Sequence, residues 1–293
     1  MAIKRTLGDN IADTFIYALL LFITLLTLYP IWHVIMASMS DGNQLIRHQG
    51  LILWPLGFSS ESYKLVLNNP SILRGYGNTL FYLVFGTALN LVLTTLGAYA
   101  LSRKDFLWGT PFMMIILFTM FFSGGMIPSF LLVERLGLID NRLAIILPGA
   151  ISTYNMIIMR TAFAAVPESL EESAKIEGAN DFQVLLWIFI PVSKAVIAVM
   201  LLFYGVGHWN DWFSSMLYLR SRERYPLQMI LREILILNNL DNMREEIDFE
   251  QLEQVGYTIK YTTIVVATVP ILMIYPFLQK YFVRGVMIGA VKG

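Results

Sequence analysis

Apolar runs of about 20 residues or more recur six times in this chain, at about residues 12–37, 78–101, 110–133, 143–164, 191–217 and 260–283. Each can cross a hydrocarbon layer of about 30 Å as a helix, and each is longer and more uniformly apolar than the alternating strands of about ten residues that build membrane barrels. In lipid, every backbone N–H and C=O must be satisfied by the chain itself, which leaves the helix as the spanning element. The predicted fold is therefore all-α, a polytopic membrane protein with six transmembrane helices and both termini on one side. Composition agrees: 56% of residues are hydrophobic and only 14% charged.

Lys4 and Arg5 before the first run look like the start of a signal peptide. The run is too long for a signal-peptide core and no small-x-small cleavage pattern follows, so a retained helix is expected. Lys4, Arg5, Arg103 and Lys104 sit in short flanks, which favours cytoplasmic N- and C-termini, with residues 38–76 and 218–259 outside. The outer segments differ. The first carries Leu53-Trp54-Pro55 and Ser59-Ser60-Glu61-Ser62-Tyr63, suited to a membrane surface; the second runs from Arg220, Arg222 and Arg224 to Glu245, Glu246, Asp248, Glu250 and Glu253. Leu231, Ile234, Leu235 and Leu237 predict an amphipathic helix there, which could meet an extracytoplasmic binding protein or simply carry a solvated face.

One polar island interrupts the apolar runs, Pro167-Glu168-Ser169-Leu170-Glu171-Glu172-Ser173-Ala174-Lys175-Ile176-Glu177-Gly178-Ala179. It reads as a short helix with Pro167 at its first position, acidic residues at the positive end of the dipole and Gly178 as the stop. Leu170, Ala174 and Gly178 fall in one slim line at i, i+4, i+8, which a partner's backbone could approach closely.

With Ile188-Phe189-Ile190-Pro191 downstream, this island resembles the EAA loop of ABC importer permeases, the cytoplasmic element that docks on the ATP-hydrolysing subunit. Glu172-Ser173-Ala174 matches the triplet and Glu177-Gly178 the acidic-Gly pair. Ser173 stands where the family usually has Ala, and Glu177 where it usually has Asp; size and charge stay similar. Phe122-Ser123-Gly124-Gly125-Met126-Ile127-Pro128, Leu136-Gly137-Leu138-Ile139-Asp140, Asn155-Met156-Ile157-Ile158-Met159-Arg160, Trp209-Asn210-Asp211-Trp212 and the ending Gly285 to Gly293 extend the resemblance to the carbohydrate-uptake permeases, in the LplC-type branch similar to the smaller permease of the maltose transporter.

The resemblance implies a type I ABC importer permease fold in the bacterial cytoplasmic (inner) membrane. It divides the chain into an N-terminal segment at 1–77, a core at 78–284 containing the docking loop 167–191, and a cytoplasmic tail at 285–293. Implied docking residues are Glu168, Leu170, Glu172, Ser173, Ala174, Glu177, Gly178 and Ala179, with Gly289, Lys292 and Gly293 of the tail reaching between ATPase subunits. Implied partners are a second, related permease, two ATPase subunits, an extracytoplasmic solute-binding protein and an oligosaccharide substrate, including acidic ones derived from alginate or pectin. No cofactor is expected on this chain; ATP and Mg belong to the ATPase partners.

The candidate sugar path comes from the spans. Tyr204, His208, Trp209, Asn210, Asp211 and Trp212 cluster in the fifth, where an Asp is costly unless it faces a partner or a wet cavity. Sugars pack their ring hydrogens on aromatic faces and need polar partners for their hydroxyls. A belt of interfacial aromatics is the alternative for the tryptophans. Tyr154 and Asn155 in the fourth span, and Asn90, Thr94 and Thr95 in the second, suit either the path or ordinary interhelical hydrogen bonds.

Other functions find little support. The chain has no cysteine, no Gly-x-x-x-x-Gly-Lys-Ser/Thr phosphate loop and no His-Glu-x-x-His, and its three histidines, His33, His48 and His208, lie in separate contexts. No catalytic residue or metal site is predicted. A net charge of zero indicates no nucleic-acid partner. The competing transporter class is an ion-coupled secondary carrier of a small polar solute, which would call for midplane carboxylates and an inverted repeat; Asp211 is the one deep candidate, and no repeat is visible.

Overall fold

A helix that is apolar on every side cannot be covered by its own small domain, and the N-terminal helix is of this kind. In the computed structural model, which describes residues 7–236, 256–273 and 276, α1 (Leu7–Ser38) buries none of its most apolar stretch within the chain. Phe15, Leu21, Phe22, Leu25 and Leu26 all stand exposed. Such a surface faces lipid or another membrane chain. Leu237, the acidic run from Glu245 to Glu253, and Gly289, Lys292 and Gly293 of the predicted tail lie outside the described residues.

After α1 come α2 (Gly42–Arg47) and α3 (Glu61–Asn68), then the long α4 (Pro70–Ser102), which contains a π-helical turn at Tyr82–Gly86. α5 (Gly109–Phe121) and α6 (Met126–Arg135) follow, then the short α7 (Leu143–Ile146), α8 (Thr153–Ala164) and α9 (Glu168–Ile176). α10 (Asp181–Val192), α11 (Lys194–Asn210), α12 (Phe213–Tyr218), α13 (Leu227–Ile236) and α14 (Gly256–Met273) complete the described helices.

Six spans were predicted; the described residues hold three, α1, α4 and α14, or five when each of two bent pairs counts as one span. The pair α5 and α6 bends by 110° at Phe122-Ser123-Gly124-Gly125, where Gly125 takes a φ of 85° that favours glycine. The pair α10 and α11 bends by 85° just after Pro191. The expected fourth span, 143–164, is divided between α7 and α8 with Pro148-Gly149 in the gap. The 12 residues of α8 extend only about 18 Å, less than a hydrocarbon core.

The described residues form two units, 7–69 with 233–236 and 256–269, and 70–232 with 270–273 and 276. In the first, Met36, Ala37 and Ile52 form a small core, capped by hydroxyls: Ser38 Oγ meets Tyr63 OH at 2.7 Å, and Thr262 Oγ1 donates to the Ser38 carbonyl at 3.2 Å. In the second, α4 packs along α8 and α11. Ala98, Tyr99, Met156, Met159, Phe163, Phe189, Met200 and Tyr204 form its main core, and the Phe189 ring meets those of Tyr99 and Phe163 edge-on at 5.1 and 5.6 Å.

The first turns of α4 hold the segment after α12. Asn78 donates to the carbonyls of Glu223 and Tyr225 at 2.7 and 3.1 Å, Tyr82 OH donates to that of Arg224 at 2.9 Å, and the Leu227 N–H donates to Thr79 Oγ1 at 2.9 Å. Asp140, left-handed at φ 57°, accepts from Ser221 Oγ and from the N–H groups of Ser221 and Arg220, and pairs with Arg224 at 2.9 Å. The Ser221 hydrogen bonds hold its carboxyl far below the usual carboxylate range. Arg224, one of three arginines in the predicted outer segment, is thus engaged within the chain, whereas Arg220 is exposed. The amphipathic helix predicted here is α13, with Leu227, Ile230, Leu231 and Ile234 buried.

Candidate functional site

Two sites lie along the second unit, one at the C-terminal end of α4 and one at its middle.

The first is the polar island, which folds as the short helix α9. Pro167 stands one place earlier than predicted: its ψ of 130° makes it the cap residue, and Glu168 is the first helical residue. The stop is as the sequence suggests. Gly178, at φ 86°, donates its N–H to the Lys175 carbonyl at 3.0 Å, and Ala179 donates to that of Ala174 at 2.9 Å. These two bonds form a Schellman ending, which needs the left-handed glycine. Asn180 then opens α10 with a reciprocal capping box to Gln183. The loop between the helices is thereby fixed by local chemistry.

α9 divides its residues between two surfaces. Ala174 and Ala179 turn inward against the main core. Glu168, Leu170, Glu172, Ser173, Glu177 and Gly178 are exposed, joined by Ile176 at 87% and Phe182 at 69% exposure. The predicted line of Leu170, Ala174 and Gly178 is therefore split, because Ala174 is the small residue that lets α9 sit close to the bundle.

What holds α9 there is a clamp with no counterpart in the sequence reading. Arg103, just past α4, donates to Glu171 in an ion pair whose side chains are each only 14% exposed. Its guanidinium lies 4.9 Å from the Tyr99 ring centroid and 4.3 Å from that of Phe189, an arrangement that favours the planar arginine. Burial pushes the Glu171 carboxyl up, but bonds from Lys175 (2.9 Å) and Arg103 outweigh it and hold the group below its usual value. Lys175 is raised in turn by its bond to Glu171. Lys104 pairs with Glu168 at 2.6 Å with both side chains largely exposed, a contact worth little by itself. Arg103 and Glu171 are 68 positions apart, and only Arg103's place at the end of an apolar run hints at it.

The second site is a cavity of about 500 Å³ between α4, α7, α8 and α11. It brings together four of the predicted path residues: Asn155, Tyr204, His208 and Asp211. Tyr204 OH meets Thr94 Oγ1 at 2.6 Å and accepts from the Ser152 N–H at 3.2 Å. His208 Nε2 meets Asn90 Oδ1 at 2.7 Å, while the Asn90 amide donates to the carbonyls of Gly149 and Ala150 at 2.8 and 2.9 Å. Gly86, at the end of the π turn, makes room for this ring; a Cβ there would lie 2.4 Å from His208 Nε2. Asp211 caps the break between α11 and α12 by accepting from the Ser214 N–H at 3.1 Å.

The remaining path candidates point elsewhere. Trp209 is buried, its ring 6.4 Å from that of Tyr76. Asn210 is exposed and donates to the Val206 carbonyl on its own helix at 3.0 Å. Trp212 lies under the Arg232 guanidinium at 4.7 Å, and Tyr154 is 56% exposed.

The helical spans, the helix displayed at one end of α4 and the polar cavity at its middle suit an integral membrane permease. Residues 104–288 match the family described as binding-protein-dependent transport system inner membrane component. The chain belongs to that family. It is 40% identical over 292 residues to the polygalacturonan/rhamnogalacturonan transport system permease protein YtcP of Bacillus subtilis, covering 97% of this chain and 99% of that one. Protein LplC of Bacillus subtilis is 41% identical over 273 residues, 92% of this chain and 90% of the relative. Among solved structures, a bacterial ABC transporter involved in the import of the acidic polysaccharide alginate matches with a TM-score of 0.88 at 33% identity, covering 96% of this chain and all of that one. Family, all-α fold and membrane-permease class therefore stand as predicted.

Proposed function

We propose that this chain is one of two related permease subunits of an ATP-driven importer, taking in oligosaccharides handed over by an extracytoplasmic solute-binding protein. The observation that carries the reading is the end-to-end likeness to a polygalacturonan/rhamnogalacturonan permease at 40% identity. That relative and the alginate importer favour acidic oligosaccharides. ATP and Mg are bound and used on two ATPase subunits docked to α9, and both termini lie in the cytoplasm. The exposed row of Leu170, Ile176 and Phe182, flanked by Glu168, Glu172 and Glu177, suits an apolar groove with a basic rim on the ATPase. Nucleotide-driven closure of the ATPases then moves α9, and the spans shift between inward- and outward-facing states.

Purification through a tag on this chain tests the reading, with an ATPase and a second permease expected to come with it in stoichiometric amounts. Recovery of the chain alone, from membranes in which the other subunits are present, would contradict it. The tail residues Gly289, Lys292 and Gly293 are proposed to enter the cleft between the ATPases, since a glycine-rich end can pass close to other surfaces. Deleting 289–293 is expected to lower transport-coupled ATP hydrolysis severalfold without loss of membrane insertion. Unchanged coupled hydrolysis would remove the tail from the mechanism.

A further inference from the structure

The cavity between α4, α8 and α11 contains a buried amide that the fold does not use. Asn155 is only 7% exposed. Its backbone N–H is satisfied by Ser152 Oγ at 3.4 Å, yet its side chain reaches the cavity wall and has no hydrogen-bond partner among the described residues. Its amide atoms are not among the sealed, unpaired polar atoms of the described residues; they open onto the cavity, where a bound molecule can pair with them. The neighbouring polar groups are already committed: Tyr204 to Thr94 and Ser152, His208 to Asn90, and Asn90 to two carbonyls. Interhelical packing therefore accounts for those residues and leaves Asn155 over.

The depth of the cavity suits a transported molecule. Asn90 lies 12 positions before Ser102 and 20 after Pro70 along α4, so the cavity sits about 18 Å from one end of that helix and about 30 Å from the other, well inside the span. Its volume of about 500 Å³ falls in the usual range for small-molecule sites, about 300–1,000 Å³. Apolar wall comes from Ile145, Pro148 and Phe203, and Asp211 adds an acceptor. Among the described residues no Lys or Arg lines it, so a carboxylate placed here would meet no opposite charge from them.

We infer that Asn155 and the cavity around it form a subsite for the hydroxyl groups of a sugar ring, holding the oligosaccharide by neutral hydrogen bonds and not by its carboxylates. This rests on the importer reading above. It divides the task of handling an acidic substrate: this chain contacts hydroxyls, and any recognition of carboxylates falls to other surfaces. The amide offers one acceptor and two donors, which matches a vicinal diol, and the committed neighbours hold the site rigid before the sugar arrives.

The test uses the complete importer, both permeases with ATPases and binding protein, in proteoliposomes, with trigalacturonate and its fully methyl-esterified form as probes. Asn155→Leu conserves volume and removes the amide. It is expected to lower uptake at subsaturating probe by about three- to tenfold, the loss of one or two neutral hydrogen bonds, at a complex yield equal to that of the wild type. The factor should be the same for both probes. Asn155→Ser, which keeps a donor and acceptor, should retain more uptake than the leucine variant. Three results would overturn the inference: unchanged uptake of both probes, a loss confined to the acidic probe, or a fall in complex yield, which would mean that the amide meets the second permease. A wild-type complex that takes up neither probe would instead remove the importer reading itself.

Discussion

Replacing Gly178 by aspartate is expected to reduce the ATPase recovered with this chain, and the uptake it drives, by tenfold or more, while the chain still inserts and folds. Gly178 ends α9 at φ 86°, a conformation that costs an L-residue about 1–2 kcal/mol, less for Asp than for a bulky side chain. A Cβ built there meets nothing among the described residues within 4 Å. The new side chain therefore has room within the permease, and whatever it strikes belongs to the partner. It also places a second carboxylate beside Glu177 on a surface already carrying Glu168 and Glu172. Gly178→Ala should fall between wild type and Gly178→Asp. The check is the ratio of ATPase to permease after purification; a normal ratio with normal uptake in the aspartate variant would take α9 out of the docking interface.

Arg103→Ala is expected to have the other large effect, of a different kind: ATP hydrolysis continues while uptake per ATP falls severalfold. The guanidinium ties Glu171 of α9 to Tyr99 at the end of α4 and to Phe189 of α10, so its loss is expected to loosen α9 from the spans. Breaking a buried pair costs about 3–5 kcal/mol. Here the lower end applies, since Lys175 stays within 2.9 Å of Glu171 and water reaches both side chains. Arg103→Lys should not restore coupling, because an ammonium lacks the planar face that lies against the two rings. The sign of the pH dependence follows from Glu171, whose carboxyl is held below its usual value. Its contribution is fully present above the unfolded value of about 4.3 and is lost only as pH falls through the lower folded value. Coupling should thus be flat around neutrality and fail in acid. Measuring ATP hydrolysed per sugar imported checks this, and an unchanged ratio in Arg103→Ala would contradict the clamp.

Both effects depend on residues that the sequence reveals unequally. Gly178 is legible because a short acidic helix needs a stop and glycine supplies the left-handed one. Arg103 is not, because no periodicity joins it to a glutamate 68 positions away. The long spans α1 and α4 are legible from hydropathy alone, whereas the break of the predicted fourth span is visible only as Pro148-Gly149, a pair that helices in lipid often tolerate. The run from His208 to Trp212 shows a further limit. Adjacent residues on a helix point about 100° apart, so His208 turns to the cavity, Trp209 to Tyr76 and Asn210 outward. Asp211 joins His208 at the cavity because α11 ends there and the chain turns. Composition picks out the stretch of chain, and only the fold assigns its faces.

Uptake in proteoliposomes tests the central claim most directly. The complete complex, with its solute-binding protein and labelled trigalacturonate outside, should accumulate the sugar when ATP and Mg are enclosed, and should not when ATP is replaced by a non-hydrolysable analogue. Uptake that proceeds without nucleotide and follows an imposed proton or sodium gradient would contradict the assignment of this chain to an ATP-driven importer.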